Sequence, residues 1–436
     1  MNVATKPEVG NFWCDLAGRA EDRKSSIKGK SKKEKGERED GRQMTEVANV
    51  VELEDGGQLG ERIGLVVVAL MAIGTAFVFS AGVDVARDID PVRFYESANL
   101  RKVLFFPLAV AVMLGVSRID YRRFSMERGL WRSPTTYLFI ASVILLVIVL
   151  LPQVGTEVNR ARRWLRIPLG PAIISFQPSE LAKWVMVFSL AAFCVKYVER
   201  LKSFRRGLLP VCAVVGLVAG LVIVEDFGSA ALIALLSFLI LLVGGADWRY
   251  LVAPLPVAAA GFVAAILVSP TRVMRILAFL HPDQWTGSAN YQASQSLIAI
   301  GSGGLFGKGL GMGVCKYGHL PEDTTDFIFS IIGEEMGFVG TAVVIALFIM
   351  FVVLGVLVVT RCREPFGRLL ATSIVLAVGV QAALNIGVVT VVLPTKGLPL
   401  PFVSAGGTSM LLSAAAVGVL LNIASQCSRG GAGEDG

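Results

Sequence analysis

The chain has 436 residues, 54% of them hydrophobic and only 17% charged, with a net charge of +7. Soluble domains carry about a quarter charged residues, so this composition, with apolar runs recurring along the chain, excludes a soluble multidomain protein. Its positive charge lies in a tail and in short loops, which fits orientation in a membrane and argues against nucleic-acid binding.

Residues 1–62 are polar and mixed in charge, including KSSIKGKSKKEKGERED. Such a segment cannot bury enough apolar surface to fold alone, and it reads as a disordered cytoplasmic tail. The first apolar run begins near Ile63, too late for a cleavable signal peptide, so it is expected to stay as a membrane helix. About ten spans follow by the criterion of long apolar runs: 63–82, 102–118, 135–152, 179–196, 208–224, 228–245, 250–270, 327–357, 369–392 and 405–425. The expected fold is therefore all-α and polytopic. It has a transmembrane domain over 63–428 and a short cytoplasmic tail over 429–436. The eighth run is over-long and must tilt, kink or contain a non-spanning turn around GEEMG.

Orientation follows from the loops. Arg118, Arg122, Arg123, Arg128 and Arg132 share one side with Arg200, Lys202, Arg205 and Arg206, and with Arg361, Arg363 and Arg368. The positive-inside rule makes that side cytoplasmic, with both termini inside. The unusual polar segments then emerge on the outer face: NRARRWLRIPLG (159–170), EDFG (225–228), the long stretch 271–326 and LPTKGLPLPF (393–402). An outer loop of that length is long enough to carry structure or function of its own.

Arg160, Arg162, Arg163 and Arg166 lie outside, against the positive-inside bias. Arginine binds phosphate bidentately, and Trp164 beside them can stack on a ring or anchor at the interface. Headgroup anchoring is the plainer alternative. Lys396 stands among Pro394, Gly397, Pro399 and Pro401, a rigid non-helical lead-in to the last span. Backbone of that kind at membrane depth is tolerated where it lines a protein cavity. There a lysine neutralises phosphate as a point charge, or merely snorkels.

Among the acidic residues, Glu225, Asp226, Asp326, Glu334 and Glu335 fall near membrane depth. Ionisable groups there are costly and count as functional candidates. Glu322 and Asp323 read as solvent-facing loop residues. The glycine-rich AIGSGGLFGKGLGMG (299–313) lacks the strand–loop–helix context of a nucleotide motif and reads as close backbone packing. The two histidines, His281 and His319, are too far apart in sequence for a histidine metal site. The six cysteines show no paired spacing, and no disulfide framework is expected.

Four segments together carry a family resemblance: FQPSELAKW (176–184), YQASQSLIAIGSGGLFGKGLGMG (291–313), LPEDTTDFIFSIIGEEMGFVG (320–340) and NIGVVTVVLPTKGLPLPFVSAGGTS (385–409). In this order they resemble the SEDS family, the FtsW/RodA/SpoVE group of bacterial envelope proteins. PTKGLPLPF and the charged N-terminal extension are closer to the division branch, FtsW, than to the elongation branch, RodA. The resemblance implies a peptidoglycan glycosyltransferase that polymerises lipid II at the outer face of the cytoplasmic membrane, at the division septum. It implies Asp326 as the catalytic carboxylate. It also implies substrate contacts from Arg163, Trp164, Gln177, Glu180, Lys183, Glu322 and Lys396. Some positions depart from the family pattern, with Ala405 in SAGG, PEDTTDF, HPDQWT and DFGSA, and none removes Asp326, Arg163 or Lys396. The implied partners are lipid II, the undecaprenyl-diphosphate-linked glycan, a class B penicillin-binding transpeptidase, divisome proteins and membrane lipid, with no nucleic acid. No cofactor is evident. A divalent cation, Mg2+ or Mn2+, would suit a diphosphate, though no motif demonstrates one. Three other readings compete: a lipid II flippase, whose polar groups would line a path open to both leaflets; a RodA-like elongation polymerase; and a scaffold for a transpeptidase, whose outer charges would be dispensable.

Overall fold

The computed structural model describes residues 56–82, 98–127, 129–151, 154–158, 161–169, 172–281, 288–315 and 325–429. Residues 1–55 of the expected tail, the C-terminal 430–436, and Glu322 with Asp323 lie outside the described residues.

The long apolar runs become helices: α1 (Gly56–Gly82), α2 (Ala98–Val116), α3 (Pro134–Leu150), α4 (Pro178–Lys196), α5 (Leu209–Ile223), α6 (Phe227–Val243) and α7 (Leu255–Leu267), which continues a short helix Trp248–Val252. After these come α8 (Pro270–Leu280), α9 (Ser288–Ser302), α10 (Ile328–Arg361), α11 (Pro365–Val389) and α12 (Gly407–Arg429). Among the described residues, seven helical segments are long and apolar enough to cross a bilayer, and the shorter apolar helices Leu104–Val116, Pro134–Leu150 and Phe227–Val243 coincide with the other expected spans. The first helix starts at Gly56, not near Ile63. Leu59 is buried in the core, so the helix gains packing by extending into the segment expected to be tail.

Local signals explain the ends. Proline opens α3, α4, α8 and α11, where its missing N–H costs nothing. The Asp226 carboxylate caps α6, with Oδ1 accepting from the Ser229 amide at 3.0 Å. Glu364 caps α11 and also accepts a short hydrogen bond from the Tyr121 hydroxyl.

Helix α11 is the hub, packing on α4, α6, α10 and α12. Around it α1 packs on α2, α10 and α12. Helix α7 contrasts with these: only 6% of its span is buried, and it packs chiefly on the helices flanking it in sequence.

The over-long eighth run is broken by a kink. Gly337 within α10 has φ 66° and ψ −158°. A break at this depth frees backbone groups that lipid cannot satisfy. The glycine-rich loop satisfies them instead. Lys308 and Gly309 donate their amides to the carbonyls of Glu334 and Glu335 at 3.0 Å each. The amides of Phe338 and Val339 donate to Gly304 and Leu305 at 2.9 and 3.1 Å. The side chains of the acidic pair join in. Glu334 takes Lys308 Nζ at 2.7 Å and the Val314 amide at 2.9 Å, and Glu335 takes the Ser80 hydroxyl at 2.8 Å. The costly Glu334–Glu335 pair is thus engaged in holding a loop.

Three features differ from expectation. Residues 161–169 and 172–176 are not loop but part of a three-stranded antiparallel sheet, β1 (Gly155–Val158), β2 (Ala161–Leu169) and β3 (Ala172–Phe176), in that order. The long outer stretch contains α8 and α9. And Cys362 is disulfide-bonded to Cys427, where none was expected. The two cysteines are 65 residues apart, and only the meeting of the far ends of α10 and α12 pairs them.

Gly337→Ala should destabilise the protein by about 1–3 kcal/mol, because the left-handed backbone is strained for alanine and the added Cβ would collide with the Gly307 amide. A thermal melt of the detergent-solubilised variant measures it; an unchanged midpoint would show that the kink relaxes freely.

Candidate functional site

The site forms at the end of the bundle opposite the basic loops, where α10 begins and where the 390–406 segment joins α11 to α12. Its centre is Gly397. A Cβ built there would stand 2.9 Å from Asp326 Oδ2 and 3.8 Å from Arg163 Nη1. The sequence-predicted carboxylate and arginine therefore converge on one glycine, from segments more than 150 residues apart.

Arg163 reaches it because of an irregularity in the sheet. Thr156 pairs with Trp164 and Glu157 with Arg162, so Arg163 is the extra, unpaired residue of a β-bulge. Bulges re-aim a side chain, and here the guanidinium is locked further by Nε donating to the Glu225 carbonyl at 2.8 Å. The Glu225 carboxylate holds the same strand by accepting from the Arg162 amide at 2.7 Å. Trp164 is half-buried beside the bulge, and Arg166 is exposed.

Asp326 is positioned through its backbone. Asn385 of α11 donates through Nδ2 to the Asp326 carbonyl at 2.9 Å and to the Leu398 carbonyl at 2.6 Å. The Ser404 hydroxyl donates to the Thr325 carbonyl at 2.5 Å while accepting from the Leu400 amide at 2.8 Å. Two side chains thus tie the start of α10 to the PTKGLPLPF segment.

Lys396 turns toward the ring of Phe227, with Nζ 5.0 Å from its centroid. Burial lowers its pKa.

Glu180 and Lys183 do not face the cleft. Each is 2% exposed, and they pair at 2.7 Å. Lys183 also donates to Gln381 Oε1 at 2.7 Å, and Gln381 Nε2 donates to the Pro399 carbonyl at 2.8 Å. Ser409 completes the group by donating to Glu180 Oε2 at 2.9 Å. Through Gln381 the pair is linked to the loop. Gln177 lies nearer the site, donating to Ser179 Oγ at 3.0 Å and more weakly to Asp226 Oδ2 at 3.4 Å.

Two arginines escaped the sequence reading. Arg272 and Arg275 lie on α8, one helical turn apart. Arg272 ties helix ends together: Nη2 donates to the carbonyls of Ile223 and Val224 at 2.9 and 3.1 Å, and Nη1 to Ala265 at 3.0 Å. Arg275 is exposed. The surrounding protein mass and the like charge of Arg163 push its pKa down, and Asp326 pulls it back. Their signal in the sequence was faint: two arginines at i, i+3 in a segment expected to be loop.

The family described as Cell cycle protein (FtsW, RodA, SpoVE) matches residues 61–429. The chain belongs to this family. Among its relatives, a Geobacter metallireducens protein named "Probable peptidoglycan glycosyltransferase FtsW" is 36% identical over 363 residues, covering 83% of this chain and 93% of that one. Two solved structures share the fold. One is a chain from a peptidoglycan synthase complex that coordinates polymerization and crosslinking, with a TM-score of 0.64, 25% identity and coverage of 84% of this chain and 97% of that one. The other is the rod shape determining protein RodA of Thermus thermophilus, with a TM-score of 0.55, 26% identity and coverage of 83% and 95%.

Gly397→Ala should push a methyl group into the Asp326 carboxylate while leaving the buried tethers intact. Displacing a reacting group by about 1 Å costs on the order of a hundredfold in rate. Turnover by the purified variant is therefore expected to fall by about that factor with its melting midpoint little changed; full activity would show that Asp326 does not act from this position.

Proposed function

We propose that this multi-pass membrane protein is a peptidoglycan glycosyltransferase that polymerises lipid II at the outer face of the bacterial cytoplasmic membrane. The observation that carries this reading is the convergence of Asp326 and Arg163 on Gly397. In the reaction, a sugar hydroxyl of the acceptor loses its proton to Asp326, and its oxygen bonds to the anomeric carbon of the donor. The bond from that carbon to the diphosphate breaks, and the electron pair leaves with undecaprenyl diphosphate. A carboxylate within reach of the hydroxyl supplies general-base catalysis. The guanidinium of Arg163, held by the Glu225 carbonyl, and that of Arg275 stabilise the charge that develops on the leaving diphosphate. Among the described residues the donor set at the centre is one carboxylate among several cations. That set does not fit a divalent ion.

In this reading Glu180 and Lys183 support the loop and do not bind substrate. Trp164 and Gln177 flank the reacting groups. Glu322 remains a proposed substrate contact on the resemblance alone. The one-ended placement of Asp326, Arg163 and Arg275 favours a polymerase over a flippase, whose polar path would cross the bundle. The relatives' names and the PTKGLPLPF segment favour the division branch, with action at the septum. A class B transpeptidase is the partner this reading calls for, in keeping with the synthase complex among the structural relatives.

Asp326→Asn keeps the size of the side chain and most of its hydrogen bonding but removes the proton acceptor. Purified variant given lipid II as sole substrate should make glycan at a rate lower by about a hundredfold or more, with normal expression and folding. Activity within a fewfold of the unsubstituted protein would eliminate Asp326 as the base.

A further inference from the structure

We propose that the glycine-rich hairpin 303–314 is a membrane-inserted wedge, with Leu305, Phe306, Leu310 and Met312 set among the phospholipid chains at the headgroup boundary. It shares no residue with the site around Gly397, and the inference does not depend on the glycosyl-transfer reading.

The surface of the hairpin is the first observation. Leu305, Phe306, Leu310 and Met312 are each between 66 and 80% exposed. A surface meant for water seldom gathers large apolar side chains so densely. Lys308 is the one charged residue in the stretch. Its ammonium pairs with the buried Glu334 carboxylate at 2.7 Å, so the hairpin offers no uncompensated charge to its surroundings. The backbone is turned to protein. The amides of Lys308 and Gly309 and the carbonyls of Gly304 and Leu305 bond to α10 on either side of Gly337. Lipid makes that demand of irregular backbone, since it cannot satisfy the groups itself.

The depth follows from α10. From Gly337 to Arg361, at the basic-loop end, the helix runs 24 residues. At about 1.5 Å per residue that is a rise of about 36 Å, or about 34 Å at the usual tilt of about 20°. The hydrocarbon core is about 30 Å thick, with headgroup layers outside it. With Arg361 at one interface, Gly337 therefore lies at the other, and the hairpin bonded around it lies at the boundary of headgroups and chains. Apolar side chains from such a position reach about 5–10 Å into the leaflet.

Continuity commits the surface to lipid. Helix α9, which leads into the hairpin, exposes Leu297 and Ile298. On α10 the exposed side chains continue from Phe338, whose amide bonds to Gly304, to Ile349 and Val353 within the span. The hairpin is thus the rim of a face that already meets hydrocarbon, and it lacks the polar border of a protein interface.

The test reads depth by fluorescence. Phe306→Trp is placed in phosphatidylcholine vesicles, and its added emission is taken as the difference from the unsubstituted protein. Lipid brominated on the upper part of its chains should lower that emission at least twofold, because insertion at the boundary sets the ring beside the bromines. Aqueous iodide should leave it nearly unchanged. Ile349→Trp, within the span, and Glu199→Trp, on an exposed loop, calibrate the two quenchers. If Phe306→Trp fails to fold, Met312→Trp is judged by the same ratios. Quenching by iodide as strong as at Glu199→Trp, with no effect of bromine, would overturn the proposal in favour of an aqueous loop. Resistance to both quenchers would overturn it in favour of cover by protein, such as a second copy of the chain.

Discussion

One carboxamide carries much of the site. Asn385 stands 1% exposed in the central helix and donates from a single nitrogen to the carbonyls of Asp326 and Leu398. Both partners are acceptors, which fixes the amide's orientation. Its own Oδ1 has no partner among the described residues. An unsatisfied buried acceptor costs about 1–3 kcal/mol. That cost is tolerated where the two donated bonds bring together the segment that carries Asp326 and the segment that carries Lys396, which lie 70 residues apart in sequence. The Ser404 hydroxyl repeats the arrangement one residue earlier, at Thr325.

The same economy governs the irregular backbone. A membrane protein can break a helix only where other groups take over its hydrogen bonds. At Gly337 they come from the 303–309 loop, and at 393–404 they come from Gln381, Asn385 and Ser404. The buried Glu180–Lys183 pair belongs to this scaffold, because it fixes Gln381, which in turn holds the Pro399 carbonyl. Removing one partner of such a pair leaves a buried charge unpaired, a loss of about 3–5 kcal/mol. These residues are therefore bound to their motif by folding.

The spans were legible because apolar length is a local property, and the eighth run, too long for the bilayer, announced a tilt, a kink or a non-spanning turn around GEEMG, of which the structure has the kink at Gly337. The candidate cations followed from charges placed against a simple rule. The sheet was not legible: NRARRWLRIPLG has too few alternating apolar residues to announce a strand, and the bulge that aims Arg163 depends on register with residues 155–158. Nor could Arg275 be singled out, since its value lies in what α8 brings it beside. That Glu180 and Lys183 are each 2% exposed and paired with one another was equally invisible in the sequence. The Cys362–Cys427 bond is of the same kind, a meeting of two helix ends that spacing does not encode.

The central claim is that the geometry of the reacting groups is set from the side by α11 through Asn385. Asn385→Leu keeps the volume and removes both donated hydrogen bonds. The direct measurement is the rate of glycan synthesis from lipid II by the purified variant, taken at a temperature where its melt shows it folded. The account predicts a loss of about ten- to a hundredfold, since misplacement by about 1 Å suffices for the larger figure. A folded variant that polymerises within twofold of the unsubstituted protein would contradict it.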